Sequence, residues 1–357
     1  MGDATEQAEV VVGCRELDPN LHFFTELGFS VRSVFPADDP ERVVVQGRGL
    51  RLRLERTPED RPVELVLSGP DLAPGDLVAP GGARVRITQS TDTVDVPPLQ
   101  SALSITRAGP DATWVTGRAG MQYRDLVPDR QGGFVIASHI RIPDGGPVPD
   151  YVHFHRVHAQ VIYCHRGWVK VVYEDQGPPF VMEAGDCVLQ PPRIRHRVLE
   201  SSKGLEVIEV GVPARHETLA DPSMILPTSD VNRQRIFSGQ RFVRHRAAKA
   251  TWEPWRIPGF VARDTGLAAA TDGIIDVKVA RPSGRPSSEV VDQSRGLQLD
   301  VVLAGTTWLM THGKRHTLST DDAAVVPAGS SHAFVMSSED FEVLEVTVRE
   351  PSPADGV

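Results

Sequence analysis

The sequence has few of the features that mark secreted, membrane or nucleic-acid-binding proteins. Its three cysteines, Cys14, Cys164 and Cys187, are scattered and odd in number, which predicts a reducing compartment and no disulfide framework. No apolar run approaches the length of a membrane span, and the first residues are polar and acidic, unlike a secretory signal. The formal charge of -9 gives no positive field for a polyanion. We therefore expect a cytoplasmic protein that binds neither nucleic acid nor membrane.

Long stretches of helical periodicity are also missing from most of the chain. The 31 glycines and 29 prolines are instead typical of many short strands joined by turns. The length of 357 residues suggests two or three domains. We predict a mainly β protein.

Residues 8–56 differ from the rest because they include a predicted helix. Asp18 follows a short apolar strand and can cap a helix that ends at Gly28, and three alternating strands come next. The predicted order is therefore β-α-β-β-β. With the stretch 22–29, this order resembles one module of the vicinal-oxygen-chelate superfamily, which includes the glyoxalases. Such modules normally pair, and no second copy follows in 60–130, so we expect a structural or dimerising module in a homodimer.

The densest group of potential metal ligands lies between residues 150 and 200. His153 and His155 are two apart on a predicted strand, so their side chains point to the same face. Gln160 follows after four residues, and Gly167 follows after six more. A second segment begins at Gly185, has Pro191 after five residues and reaches His196 five positions later.

This spacing resembles the two motifs of the cupin superfamily. The first motif runs His-x-His, four residues, Glu, six residues, Gly; the second runs Gly, five residues, Pro-x-Gly, two residues, His, three residues, Asn. Every spacing is kept, but Gln160 replaces the glutamate ligand, Arg193 the glycine and Glu200 the asparagine. The resemblance covers about residues 111–215 and implies a small β-barrel, or jelly roll, with a metal site. The implied metal ligands are His153, His155 and His196.

The implied ligand set determines the chemistry that is expected. Three neutral imidazoles suit Fe(II), Mn, Ni, Cu or Zn, and they leave the positive charge of the metal in place. Open coordination positions accept a bidentate substrate, O2 or an activated water. We expect one divalent metal ion per chain, with Fe(II) as the first choice and Gln160 in a catalytic role, as a weak amide ligand or a hydrogen-bonding group. The alternative is a vestigial barrel whose histidines line a polar cavity.

Three further residues are predicted to bind the substrate. Tyr123 and Arg124 belong to a segment that can cover the mouth of the barrel, and Arg193 lies close to His196. An arginine at either place can clamp a carboxylate. The alternative for each arginine is a surface ion pair with Asp or Glu.

The C-terminal half repeats the pattern without the full ligand set. Gly305 takes the place of Gly167, and Asp321 takes that of Gly185. The residues at the positions of His153, His155, Gln160 and His196 are Val291, Gln293, Gln298 and His332. We predict a second cupin domain that is structural and holds no metal.

The predicted architecture is two cupin domains preceded by a small βαβββ module. It resembles the bicupin dioxygenases, such as the gentisate dioxygenases and related ring-cleaving enzymes. This resemblance implies an Fe(II) dioxygenase that acts with O2 on a small oxygen-chelating substrate. The substrate is expected to be aromatic or enol-type, with or without a carboxylate. The alternatives are a non-redox isomerase, lyase or hydrolase, and a non-catalytic cupin that binds a small ligand. The predicted boundaries are module 1–68, linker 69–110, cupin domain 111–215, connector 216–245, cupin domain 246–348 and disordered tail 349–357.

Overall fold

The structure is a computed structural model that describes residues 7–26, 28–47, 49–58, 64–68, 73–78, 84–88, 94–110, 112–284, 290–292 and 296–351. Within these ranges the chain is mainly β, with 33 strands and two short α-helices. Contacts divide the chain into two units, one formed by residues 1–94, 151–156 and 216–225 and the other by the remaining residues. Among the described residues, no helix has the length and apolar character that crossing a membrane requires.

The elements of the N-terminal part are β1 (Gln7–Cys14), α1 (Leu17–Glu26), β2 (Ser30–Phe35), β3 (Arg42–Gly47), β4 (Leu50–Arg56), β5 (Glu64–Ser68), β6 (Gly75–Val78) and β7 (Arg84–Thr88). The middle part contains β8 (Ser104–Thr106), β9 (Val115–Thr116), β10 (Gln122–Asp125), β11 (Ile136–Ile142), β12 (Gly146–Pro147), β13 (His153–His155), β14 (Ala159–Arg166), β15 (Trp168–Tyr173), β16 (Phe180–Glu183), β17 (Cys187–Leu189), β18 (His196–Ser201), β19 (Leu205–Val212) and β20 (Thr218–Ala220).

The C-terminal part contains β21 (Ile236–Phe237), β22 (Gln240–Arg241), β23 (Val243–His245), β24 (Glu253–Pro254), β25 (Phe260–Asp264), α2 (Leu267–Ala270), β26 (Ile275–Pro282), β27 (Val291–Asp292), β28 (Leu297–Ala304), β29 (Thr306–Thr311), β30 (Lys314–Ser319), β31 (Ala323–Val326), β32 (Ser331–Val335) and β33 (Glu342–Val348). Short 3-10 turns occur at Arg118–Gly120, Arg130–Gly133 and Ala247–Lys249.

The first unit is a sheet with strand order β13-β20-β2-β3-β4-β1-β5-β7-β6. The predicted β-α-β-β-β order is confirmed, although the helix begins at Leu17 and ends at Glu26, so Asp18 lies in its first turn. Leu17, Phe29 and Leu54 belong to the buried apolar cluster of this unit, which fixes the helix against the sheet. Strand β20 pairs with β2 on one side and with β13 on the other.

The second unit contains two barrels of the same topology. In the first barrel, strands run in the order β23-β17-β14-β19-β11-β10-β9 in one sheet, and β16, β15 and β18 pair in that order in the other. In the second barrel the orders are β24-β25-β26-β33-β28-β31-β8 and β27-β32-β29-β30. The run β17-β14-β19-β11-β10 therefore matches β31-β28-β33-β26-β25. The predicted repeat of one barrel fold is confirmed.

Alternation along these strands builds three apolar layers. One cluster, which includes Tyr123 and Met182, fills the first barrel, and another, which includes Phe260 and Phe334, fills the second. Residues of opposite parity from the large sheets of both barrels, such as Val161 and Leu299, form the layer where the barrels pack together. Each barrel therefore has one sheet covered by the other barrel.

Two edge strands come from segments that the sequence predicted as connections. Strand β8, from the predicted linker, pairs with β31 of the second barrel. Strand β23, from the predicted connector, pairs with β17 of the first. The last predicted segment, the tail, lies outside the described residues from position 352 onward.

Candidate metal centre

Strand β13 presents two histidines on one face. His153 and His155 are 1% and 5% exposed, and their ring centroids lie 5.2 Å apart. The Nδ1 atom of His153 is 2.8 Å from the carbonyl oxygen of Tyr151, and Nδ1 of His155 is 2.9 Å from the hydroxyl of Thr218. Both rings are therefore held in a fixed orientation through the same ring nitrogen.

His196 begins strand β18 and is held in the same way. Its Nδ1 atom is 3.0 Å from the carbonyl oxygen of Ile194, and its ring stacks on Tyr173 at a centroid distance of 5.4 Å. Burial lowers the pKa of His196 to about 4. At neutral pH the ring is therefore uncharged, which is the form that binds metals.

These contacts decide the tautomers. A backbone carbonyl only accepts hydrogen bonds, so the proton of His153 and of His196 lies on Nδ1 and the lone pair on Nε2. Metal-binding histidines show this arrangement, in which one nitrogen donates to a protein oxygen and the other faces the metal. One ligand nitrogen from each of His153, His155 and His196 lies within 4.8 Å of the other two. The three predicted ligands are thus brought together, and the donor set suits a divalent transition metal.

The segment before His196 is shaped by an unusual backbone position. Arg193 has a φ of 65°, in the left-handed region, and it occupies the place of the glycine of the cupin motif. In the second barrel the same place is held by Gly329, with a φ of 76°. The sequence thus tolerates a strained arginine where glycine is normal, which fixes the direction in which Arg193 leaves the backbone next to His196.

Gln160 is buried and paired with a residue that the sequence analysis missed. Its Nε2 atom donates a hydrogen bond to Glu209 on the neighbouring strand β19. The carboxylate oxygen accepts only, so this bond determines which way the amide is turned and points Oε1 away from Glu209. A repeat in the sequence could have revealed Glu209, because residues 206–210 read EVIEV and 342–346 read EVLEV.

The three predicted substrate-binding residues lie in different surroundings. Tyr123 is buried in the apolar cluster of the first barrel, and Arg193 is half-buried. Arg124 is 4% exposed and donates to Nδ1 of His139 at 2.9 Å and to the carbonyl of Asp321 at 2.8 Å. Its guanidinium therefore takes part in a contact between the two barrels through Nη2, and its role in substrate binding stays a prediction.

Arg124 contacts a second cluster of possible metal ligands. Atoms of His139, His165, Glu206 and Asp321 lie within 4.8 Å of one another. Because Arg124 can only donate, Nδ1 of His139 accepts, and its Nε2 carries the proton that is donated to Glu206 at 2.9 Å. That tautomer has no lone pair for a metal at Nε2. Arg166 also contacts both Glu206 and Asp321, so the two carboxylates are already compensated, and the cluster is an ion-pair network between the barrels.

In the second barrel an amide approaches the histidine that corresponds to His196. Nε2 of Gln298 lies 3.2 Å from Nε2 of His332 and 2.8 Å from Oδ2 of Asp300, and all three residues are fully buried. Since an amide nitrogen donates, the lone pair at Nε2 of His332 is used by Gln298. Val291 pairs with His332 across the sheet, while Gln293, the other residue predicted at a ligand position, lies outside the described residues.

Comparison with known proteins agrees with this geometry. Residues 138–211 match the family model described as Cupin domain, so the chain carries a cupin domain that includes all three histidines. No curated protein matches the sequence. The resemblance of residues 8–56 to the vicinal-oxygen-chelate superfamily is not confirmed.

Two solved structures have a similar fold. The salicylate 1,2-dioxygenase of Pseudoaminobacter salicylatoxidans, in its gentisate adduct, is 15% identical, with coverage of 71% of this chain and 82% of that chain and a TM-score of 0.50. The oxalate decarboxylase of Bacillus subtilis, studied for its Mn(II) centres, is 13% identical, with coverage of 73% and 80% and a TM-score of 0.51. At these identities the likeness is one of fold, and that fold is the bicupin.

Proposed function

We propose that this protein is a metal-dependent cupin enzyme that holds one divalent metal ion through His153, His155 and His196. The observation that carries the proposal is the convergence of three buried histidine nitrogens within 4.8 Å. Their Nδ1 atoms are each paired with a protein oxygen, which is the usual arrangement of metal-binding histidines. A polar cavity lined by histidines would not need all three rings to be oriented in this way.

The reaction proposed for this centre is an Fe(II)-dependent dioxygenation of a small substrate with adjacent oxygen donors. A divalent metal with three neutral ligands supplies a strong positive charge and open positions for oxygen donors and O2. Gln160, fixed by Glu209, presents its amide oxygen as an acceptor for a substrate hydroxyl. Arg193, beside His196, is the residue proposed to bind a substrate carboxylate. The fold shared with a salicylate dioxygenase supports this choice.

The second candidate function is a non-redox metal-dependent enzyme, namely an isomerase, lyase or hydrolase. It is favoured by the equal likeness of the fold to an oxalate decarboxylase with Mn(II) centres. In this case a metal held by His153, His155 and His196 would supply Lewis-acid chemistry towards a carbonyl or carboxylate oxygen, and the reaction would not consume O2.

Metal analysis of the purified full chain tests the centre itself. We expect about one metal ion per chain in the wild type, and a large loss in the variant His153→Ala. The matched control is His332→Ala, which removes a buried histidine from the second barrel and should leave the metal content unchanged. Equal metal content in the wild type and His153→Ala would show that the site has been assigned to the wrong residues.

Oxygen consumption separates the two candidate reactions. The iron-loaded chain is incubated with hydroxylated aromatic acids in an oxygen electrode, and products are followed with and without O2. Uptake of O2 that depends on substrate supports the dioxygenase. Turnover that continues without oxygen supports the second candidate. The predicted homodimer is a separate proposal, checked by light scattering of the same sample.

A further inference from the structure

A cavity beside strand β23 is lined by three cationic and two acidic side chains. It has a volume of about 550 Å³ and is lined by residues that follow or belong to strands β23, β24 and β25. This size lies within the range of small-molecule sites, about 300–1,000 Å³. Three of its lining residues are cationic, namely Arg244, Arg246 and Lys249.

One of the two carboxylates in the lining of the cavity is paired with groups outside it. Asp264 accepts a hydrogen bond from the backbone N–H of Gly266 at 2.7 Å and is paired with Lys278 at 3.0 Å. Glu253 is the other acidic residue of the lining. Arg246 and Lys249 form no ion pair with a carboxylate anywhere in the part of the chain that the structure describes.

Arg244 is held in place by an aromatic ring and a backbone carbonyl. Its guanidinium stacks on Phe180 at 3.9 Å from the ring centroid and donates to the carbonyl oxygen of Val181 at 2.9 Å. Burial and the nearby charge of Arg246 lower the pKa of Arg244, while the carboxylate of Asp186 acts in the opposite direction. Two arginines that repel each other in this way are stabilised when an anion comes between them.

The ring of His245 lies in the same lining between the two arginines along the chain. Its Nε2 atom has no hydrogen-bond partner among the described residues, although the atom is buried. Because this atom is covered by protein atoms, it is not a contact for a ligand in the cavity, and the site depends on the three cationic side chains.

We infer that this cavity is a binding site for a small organic oxyanion, a phosphate ester or a dicarboxylate, recognised by Arg244, Arg246 and Lys249. The forked N–H groups of arginine match the geometry of phosphate and carboxylate oxygens. A nucleic acid is a poor candidate because the chain as a whole carries a charge of -9, which repels a long polyanion. Strand β23 pairs with β17, and β17 pairs with β14, which carries Gln160. Strand β23, which contributes to the cavity, is therefore the second strand from Gln160 in the same sheet.

Isothermal titration of the full chain tests this site, with pyrophosphate, inorganic phosphate and succinate as probes at 50 mM and 200 mM NaCl. We expect saturable binding of at least one probe with one site per chain, and the best probe identifies the ligand as a phosphate or a dicarboxylate. The double variant Arg246→Ala/Lys249→Ala should weaken this binding at least about tenfold, or 1.4 kcal/mol. Both residues are exposed, so the variant should fold normally, as far-UV circular dichroism will show.

The matched control removes the same charge elsewhere. Lys203→Ala/Lys314→Ala eliminates two exposed lysines that do not line the cavity, and it should bind the probe as the wild type does. Two outcomes would overturn the inference. One is the absence of saturable binding by every probe, and the other is equal affinity in the cavity variant and the wild type.

Discussion

At the scale of single residues, the pair Gln160–Glu209 is the most informative feature of the candidate centre. Glu209→Ala removes the acceptor of a buried amide N–H, at a cost of about 1–3 kcal/mol, and frees the amide to turn. We expect this variant to keep its metal but to lose turnover, seen as a fall in kcat with little change in KM. Glu209→Gln retains an oxygen acceptor and should restore much of the loss. If both variants fail equally, the charge of Glu209 matters and the hydrogen bond does not.

Asp300 in the second barrel predicts how stability depends on pH. Burial, together with the neighbouring Glu345, raises the pKa of Asp300 to about 8, from about 4 in an unfolded chain. Between these values the folded chain holds a proton that the unfolded chain has released, so the free energy of unfolding falls as the pH rises. One such group contributes a slope of up to about 1.4 kcal/mol per pH unit.

The variant Asp300→Asn cannot titrate and should remove this slope. Urea unfolding at pH 5 and pH 8 should show a smaller fall in stability for the variant than for the wild type. Asp230→Asn, at an exposed position, serves as the control and should follow the wild type. A wild-type slope that persists in Asp300→Asn would mean that another buried group is responsible.

At the scale of elements, the repeated barrel fold depends on a glycine turn between paired strands. Gly167 and Gly305 occupy the same place in the two barrels and have φ values of 75° and 72°. A Cβ at Gly305 would lie 2.8 Å from the backbone Cα of Phe341, whereas at Gly167 the nearest backbone atom, Cα of Leu205, is 3.4 Å away. A flexible serine side chain is the closest neighbour in both cases.

These distances predict an order of stability for three alanine variants. Gly204 also has a positive φ, 68°, but a Cβ there meets no atom within 4 Å, so Gly204→Ala should cost only the backbone strain, about 1–2 kcal/mol. Gly167→Ala should cost more, and Gly305→Ala most, because backbone atoms yield less than side chains. Urea unfolding of the three variants measures the order, and a Gly305→Ala variant as stable as Gly204→Ala would contradict it.

The elements also show which parts of the fold the sequence could predict. The two cupin motifs are local patterns of ligands and turn glycines, so they located both barrels and the three histidines. Strand β20 pairs with β2 through Leu219 and Ser33, which are far apart in the chain. Edge strands β8 and β23 likewise join sheets whose other strands lie elsewhere. No local periodicity encodes such pairings, because they depend on which sheet edge is left open after folding.

The same limit applies within the candidate centre. His153 and His155 are recognisable from their spacing, but the hydrogen-bond partners that orient them, Tyr151 and Thr218, are identified only by the fold. Alternation along a strand predicts which face a side chain is on, but it does not predict what covers that face. Arg124 points out of the first barrel and is buried against the second. Residue type and spacing thus predict ligands better than they predict the groups that hold ligands in place.

At the scale of the whole molecule, the two barrels share one topology but differ in the use of their central histidine. In the first barrel the lone pair of His196 is on Nε2, the ring nitrogen that does not bond to Ile194, whereas in the second the lone pair of His332 accepts a hydrogen bond from Gln298.

A metal that binds only the folded chain raises the free energy of unfolding by about 2.7 kcal/mol when the metal concentration is a hundred times Kd. Removal of the metal by a chelator should therefore lower the melting temperature of the wild type. His196→Ala should abolish this shift, while His332→Ala should keep it, even if the variant itself melts earlier, because the shift is read within each variant. Scanning calorimetry with and without chelator measures all three proteins, and a shift lost in His332→Ala but kept in His196→Ala would move the metal centre to the second barrel.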